Sequence, residues 1–265
     1  MKHGIYYAYW EKEWGGDYLP YVKKAAELGF DILEISCAGL SEQGQEKLLT
    51  LKNAAEEAGI TITGGYGPKF TENIASNDPA IRENAFRFWA STFRAMETAG
   101  IGLVGGGLYS YWPVQYGGAL DKDGDWARSV EGMQQLADMA ADILSDRARE
   151  VADALLSAYP DAPAIAQNMI LDICVNAPGD ERIFTYLVQK LRNDPEQRAM
   201  NAALLEKLGD ERAIEPLKQM LTLFDLTYFD YLALRDAVES LGGDAGEERT
   251  FYGDPDYEAL RNLQE

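Results

Sequence analysis

Few side chains in this sequence could do acid, base, nucleophilic or metal chemistry at a telling spacing. Histidine occurs once, as His3, at the start of the first β-rich run and so at the end of a strand where barrel active sites do not lie. Cys37 and Cys174 are the only cysteines, too few for a disulfide framework and without metal-ligand spacing, and they read as buried, inert thiols. Glu34 lies inside a β-rich run. It could serve as a general base, but a carboxylate paired locally at a strand rim is the favoured reading. Gly105-Gly106-Gly107 lacks the lysine and helix start that a phosphate loop needs. The remaining carboxylates are numerous and read as a solvated face.

The elements that would position these groups follow two patterns. From residue 1 to about 145, short apolar β-rich runs alternate with longer amphipathic ones, as in βα units. Ile5–Tyr9, Asp31–Ser36, Ile60–Thr63 and Ile101–Val104 read as strands, and Leu19–Leu28, Gln43–Ala58 and Pro79–Ala99 as helices, with a fourth helix opening at Asp125 or Ser129. Four consecutive units predict a parallel sheet covered by helices. After about residue 145 the strands stop. Gly179-Asp180-Glu181-Arg182 recurs as Gly209-Asp210-Glu211-Arg212, and Leu187 and Leu191 recur as Leu217 and Leu221. A period near 30 residues predicts a helical solenoid, in which the aspartate caps each helix and the leucines form the buried stripe. Val130, Met133, Ala137, Ala140, Leu144, Val151 and Leu155 keep helical spacing with no break signal, so one continuous helix is expected to join the halves. Gly242 to Asp254 reads as a loop, Pro255 to Leu263 as a last helix, and Phe224, Tyr228, Phe229 and Tyr231 as internal packing.

Composition bounds the partners. Twenty-four Lys and Arg against 44 Asp and Glu give a formal charge of -20, which disfavours nucleic acid and anionic membranes. No apolar stretch is long enough for a membrane span, and no signal sequence is visible, so a cytoplasmic protein is expected.

The first half resembles the D-psicose and D-tagatose 3-epimerases. The likeness is carried by the opening Met1 to Trp10, by Leu28-Gly29-Phe30-Asp31-Ile32-Leu33-Glu34-Ile35, by Tyr66-Gly67-Pro68, and by the run from Gly105 to Pro113. It covers residues 1 to about 143. The second half resembles HEAT-type helical repeats through Leu208 to Leu217 and the copy starting at Pro178, over about residues 160 to 242. Together these imply an α/β plus all-α chain, a (β/α)4 half of a TIM barrel over 1–145 followed by a HEAT-type α-solenoid over 146–265.

The epimerase resemblance also implies a chemistry. Family members epimerise ketohexoses at C3 through a divalent metal, usually manganese, held by two glutamates, an aspartate and a histidine on strands five to eight. Those motifs have no counterpart here, so no catalytic residue, metal ligand or cofactor is expected. What the resemblance carries over is part of a sugar pocket: Tyr6, Trp14, Tyr66, Leu108 and Trp112, with core or interface filling as the favoured role for them. The sequence thus predicts an engineered chimeric scaffold and not an enzyme. The rival readings are a ketose 3-epimerase or a HEAT-type protein-binding module. An open half-barrel must also be covered, either by the solenoid or by a second copy in a homodimer.

Overall fold

The structure, a computed structural model, describes residues 1–13, 15–115 and 121–264. It divides into two compact units, Met1–Ile143 and Leu144–Glu265.

The first unit runs β1 (Gly4–Tyr6), α1 (Leu19–Glu27), β2 (Ile32–Ser36), α2 (Gln45–Ala58), β3 (Thr61–Tyr66), α3 (Pro79–Thr98), β4 (Val104–Gly106) and α4 (Lys122–Ser145). The strands form one parallel sheet in the order β1-β2-β3-β4. Each strand lies beside the previous one, the arrangement that repeated βα crossovers of one hand produce. Leu33, Ile35 and Ile62 alternate onto the helix side of the sheet, where they join Val22, Leu51, Ala85 and Trp89 in the core. This two-residue alternation sends the intervening residues to the other face.

Several boundaries differ from the sequence reading: β3 runs on to Tyr66 instead of ending at Thr63, α2 starts at Gln45 instead of Gln43, and three others have a clear local cause. β1 stops at Tyr6 because Tyr7–Tyr9 winds into a 3-10 turn that sinks Tyr7 into the core. β4 starts at Val104, not Ile101, because the Ile101 N–H donates to the Met96 carbonyl at 2.8 Å and closes the end of α3 around Gly100. Ile101 is buried, so its apolar character serves a helix stop and not a strand. α4 opens earlier than either Asp125 or Ser129, since Asp121 accepts from the Gly124 N–H at 3.1 Å and so acts as the cap.

The expected continuous helix is also corrected. α4 ends at Ser145 and α5 (Ala148–Ala158) opens after Arg147, whose φ of −118° and ψ of 24° lie outside the helical region. The Arg147 N–H reaches back to Leu144, the Arg147 carbonyl accepts from Glu150 and Val151, and the Arg147 side chain pairs with Glu150. A new first turn therefore stabilises itself without glycine, proline or a capping side chain. On α4, Val130 and Met133 are exposed, whereas Gly132 and Leu136 are buried.

In the second unit α5 is followed by α6 (Ala164–Cys174), α7 (Glu181–Asn193), α8 (Arg198–Leu208), α9 (Ile214–Leu221), α10 (Tyr228–Ser240) and α11 (Pro255–Gln264). No strand occurs among its described residues. The recurring tetrapeptide has a repeated physical role. Asp180 accepts from the Arg182 N–H at 2.9 Å and Asp210 from the Arg212 N–H at 3.0 Å. Each arginine then reaches one repeat back: Arg182 to Asp153 at 2.8 Å, and Arg212 to Glu181 at 2.7 Å. Leu187, Leu191 and Leu217 are fully buried. Of the four late aromatics, Tyr231 rests against Phe251 at 4.8 Å and Tyr228 against Tyr257 at 5.0 Å. Phe224 and Phe229 are 95% and 65% exposed, which corrects the expectation that all four pack internally. Tyr228 and Tyr231 share a face at a spacing of three, and Phe229 is turned about 100° away from Tyr228.

The first cap carries a pH prediction. Hydrogen bonds from the Arg182 side chain and backbone N–H pull the Asp180 carboxyl down to about 2. A carboxyl depressed on folding contributes stability above its ordinary value near 3.8, and that contribution fades as pH falls toward 2. Asp180→Asn is therefore expected to be less stable than the parent at neutral pH and to converge with it near pH 2. Urea midpoints measured at both pH values check this; an equal gap at the two would refute it.

Among the described residues no helix is long and apolar enough to cross a membrane.

Candidate functional site

The face of the sheet turned away from the helices carries polar and small residues at the strand ends. Register sets Tyr6 beside Glu34 and Glu34 beside Thr63, then Ser36 beside Gly65 and Gly65 beside Gly105. Tyr6 and Glu34 are half-buried, Ser36 and Thr63 buried. A Cβ on Gly65 would lie 2.8 Å from Glu34 Oε1, so the glutamate side chain occupies the room over that glycine. Burial, then neighbouring Tyr7 and Glu34, push the Tyr6 phenol up to about 12. Burial and Glu34 push the Cys37 thiol up to about 12 as well. Cys37 is thus a neutral, buried thiol and no ready nucleophile. Cys174 is likewise buried, its thiol pushed up to about 11 chiefly by burial.

The five residues assigned to a sugar pocket do not share one environment. Tyr6 stands on β1 against Tyr7, ring centroids 5.1 Å apart. Tyr66, the last residue of β3, is buried and turned toward α3, its ring 5.1 Å from Phe88 and 5.9 Å from Trp89. Its hydroxyl donates to Glu72 Oε2 at 2.6 Å, and burial together with Glu72 raises it far above the ordinary phenol range. Leu108 is half-buried beyond β4. Trp112 is 71% exposed; its N–H donates to the Pro68 carbonyl at 2.7 Å, and its side chain lies over Gly67. Trp14 lies outside the described residues. The strand ends therefore present Tyr6, Glu34, Leu108 and Trp112 as accessible groups, with Tyr66 behind them as a support.

Glu72 went unremarked in the sequence. It is buried and accepts both from Tyr66 and from the Lys69 N–H at 2.8 Å. A Lys-x-x-Glu spacing after a strand is a weak capping signal, and nothing local indicates that the same carboxylate holds a tyrosine. His3 is exposed, and its backbone N–H donates to Asp31 Oδ2 at 2.8 Å.

Aromatic and aliphatic side chains beside a carboxylate suit a small polyhydroxylated ligand: apolar faces cover its C–H surface and the carboxylate accepts from hydroxyls. A metal is a different matter. Among the described residues no group of three His, Cys, Asp or Glu side chains could hold an ion. Within one copy the described residues do not form a metal centre, and no step is derived through one.

Comparison with known proteins gives this geometry a family context. Residues 22–144 match the family model of the xylose isomerase-like TIM barrel. The D-psicose 3-epimerase of Ruminiclostridium cellulolyticum is 48% identical over 140 residues, covering 53% of this chain and 48% of that protein. The D-psicose 3-epimerase of Agrobacterium fabrum is 43% identical over 143 residues, covering 54% and 50%. A crystal structure of D-psicose 3-epimerase with D-tagatose, from Clostridium cellulolyticum H10, superposes with a TM-score of 0.51 at 48% identity over 53% of this chain and 48% of that one. The chain spans about half the length of the curated relatives it matches. Its N-terminal half has the xylose isomerase-like TIM-barrel fold.

These comparisons correct two expectations. A non-enzymatic scaffold is not what a half-chain match to D-psicose 3-epimerases at 43–48% identity supports; the likeness is to enzymes. Likewise, the expectation of no cofactor is not supported, because the match is to D-psicose 3-epimerases, the family whose resemblance implied a divalent metal. A chimeric origin finds no support in them either.

Proposed function

We propose that this chain is a sugar isomerase of the ketose 3-epimerase type, in which residues 1–143 supply the sugar-recognition half of the site. The observation that carries the reading is the identity of 43–48% to D-psicose 3-epimerases across that half, together with accessible aromatic and carboxylate groups at the strand ends. Tyr6, Leu108 and Trp112 would cover the sugar, and Tyr66 would hold the floor from the α3 side. The rest of the site would come from a partner half-barrel. A second copy of this chain is the occupant this reading names, because the sheet order leaves β1 and β4 as edge strands.

The test is direct. The full chain is incubated with manganese and D-fructose, and psicose is followed by chromatography with and without a chelator. Turnover that the chelator abolishes, with specific activity rising as protein concentration rises, is the expected result. Absence of both turnover and ketose binding at any protein concentration would sink the reading.

For residues 146–265 we infer HEAT-type repeats. The support is the repeated capping aspartate and the arginine that reaches one repeat back, Arg182 to Asp153 and Arg212 to Glu181. In this reading the exposed Phe224 and Phe229 belong to a protein-binding surface.

A further inference from the structure

Glu34 is a carboxylate whose surroundings leave its charge unanswered. It is the third of the five residues of β2, on the face opposite Leu33 and Ile35, and next to Tyr6 in register. It makes no hydrogen bond or ion pair with a described residue, unlike Glu72 or Asp180. Its neighbours offer no positive charge: Tyr6 and Cys37 are neutral groups held protonated chiefly by burial, and Ser36 is a buried hydroxyl. A half-buried carboxylate with no cation beside it retains strong unused acceptor capacity.

Gly65 supplies an independent observation. Its φ is not positive, so the backbone there would accept any residue. What excludes a side chain is Glu34 itself, whose Oε1 lies 2.8 Å and Cδ 3.2 Å from where a Cβ would be. The glycine therefore keeps a space that the carboxylate occupies, beside a tyrosine and at the open end of the sheet.

We propose that Glu34 accepts hydroxyl groups of a bound ketose and that the Glu34–Gly65 pair determines which sugars the site admits. This rests on the ketose-binding reading given above and assigns to it a specificity-determining carboxylate. Glu34 acts as an acceptor only; no bond to the sugar is made or broken by it.

The test uses the full chain and calorimetric titration with D-fructose and with deoxy-fructoses that each lack one hydroxyl. Glu34→Gln preserves shape and Glu34→Ala removes the acceptor, and circular dichroism establishes that each is folded. D-fructose affinity is expected to fall about ten-fold in the first and about ten- to a hundred-fold in the second. One deoxy-fructose should bind the parent as weakly as D-fructose binds Glu34→Ala, and should lose nothing further in that variant. Such pairing of one hydroxyl with one carboxylate would not arise from general damage to the site. If both variants bind D-fructose like the parent, or lose every analogue equally, the role of Glu34 is overturned while ketose binding stands. If the parent binds no ketose, both fall.

Discussion

Gly106→Ala is expected to cost the first unit about 2–6 kcal/mol, from a strained backbone and a steric conflict of roughly 1–3 kcal/mol each. Gly106 has a φ of +112°, a region that L side chains avoid. An added Cβ would also press into the Tyr66 carbonyl oxygen of the adjoining strand, well inside van der Waals contact. Backbone cannot swing aside as a side chain can, so relief would require β4 to part from β3, where Tyr66 and Gly106 stand in register. Gly105 is the natural control: it is exposed, and nothing lies within 4 Å of its missing Cβ. The two variants can be compared by urea unfolding followed through tryptophan emission. All five tryptophans lie between residues 10 and 126, so that signal reports on the first unit alone. A midpoint for Gly106→Ala matching that of Gly105→Ala would show that β4 is not held against β3 as described.

Trp89→Ala is expected to destabilise the same unit by about 3–5 kcal/mol. Trp89 is fully buried, and Tyr66, Phe88 and Phe93 surround it at 5.3–5.9 Å between ring centroids. Removing the indole opens a void at the junction of α3 and β3, and neighbours of that size cannot collapse into it. Trp89→Phe should cost far less. The indole N–H has no hydrogen-bond partner among the described residues, so part of the lost packing is offset by removing an unsatisfied buried donor. Trp126, 74% exposed on α4, should tolerate alanine within about 0.5 kcal/mol. Circular dichroism is the readout, since the substitutions themselves change tryptophan emission. The ordering of the three costs decides the matter: equal losses at Trp89 and Trp126 would contradict the burial.

Both predictions bear on the candidate site. Trp89 backs Tyr66, whose hydroxyl is fixed by Glu72, and Gly106 sets the turn from which Leu108 and Trp112 depart. Loosening either would move the groups proposed to meet the sugar, so a stability loss should be accompanied by weaker ketose binding.

Local sequence determined what local physics controls. The two-residue alternation in Leu33, Glu34 and Ile35 dictated a strand with one apolar face, and the aspartates at 180 and 210 dictated helix starts, because a side-chain oxygen two residues from an unpaired N–H needs no distant partner. The order of four parallel βα units was legible for the same reason. Tertiary structure alone decided the rest. Ile101 looks like a strand residue until the Met96 carbonyl claims its N–H, and the break at Arg147 carries no residue that breaks helices. Tyr66 matched a sugar-pocket position, yet Glu72 and the α3 aromatics turn it inward. The role proposed for Glu34 likewise rests on a space at Gly65 on another strand. Such outcomes depend on contacts between residues far apart in the chain, and periodicity or spacing cannot encode which of several possible partners a group will meet.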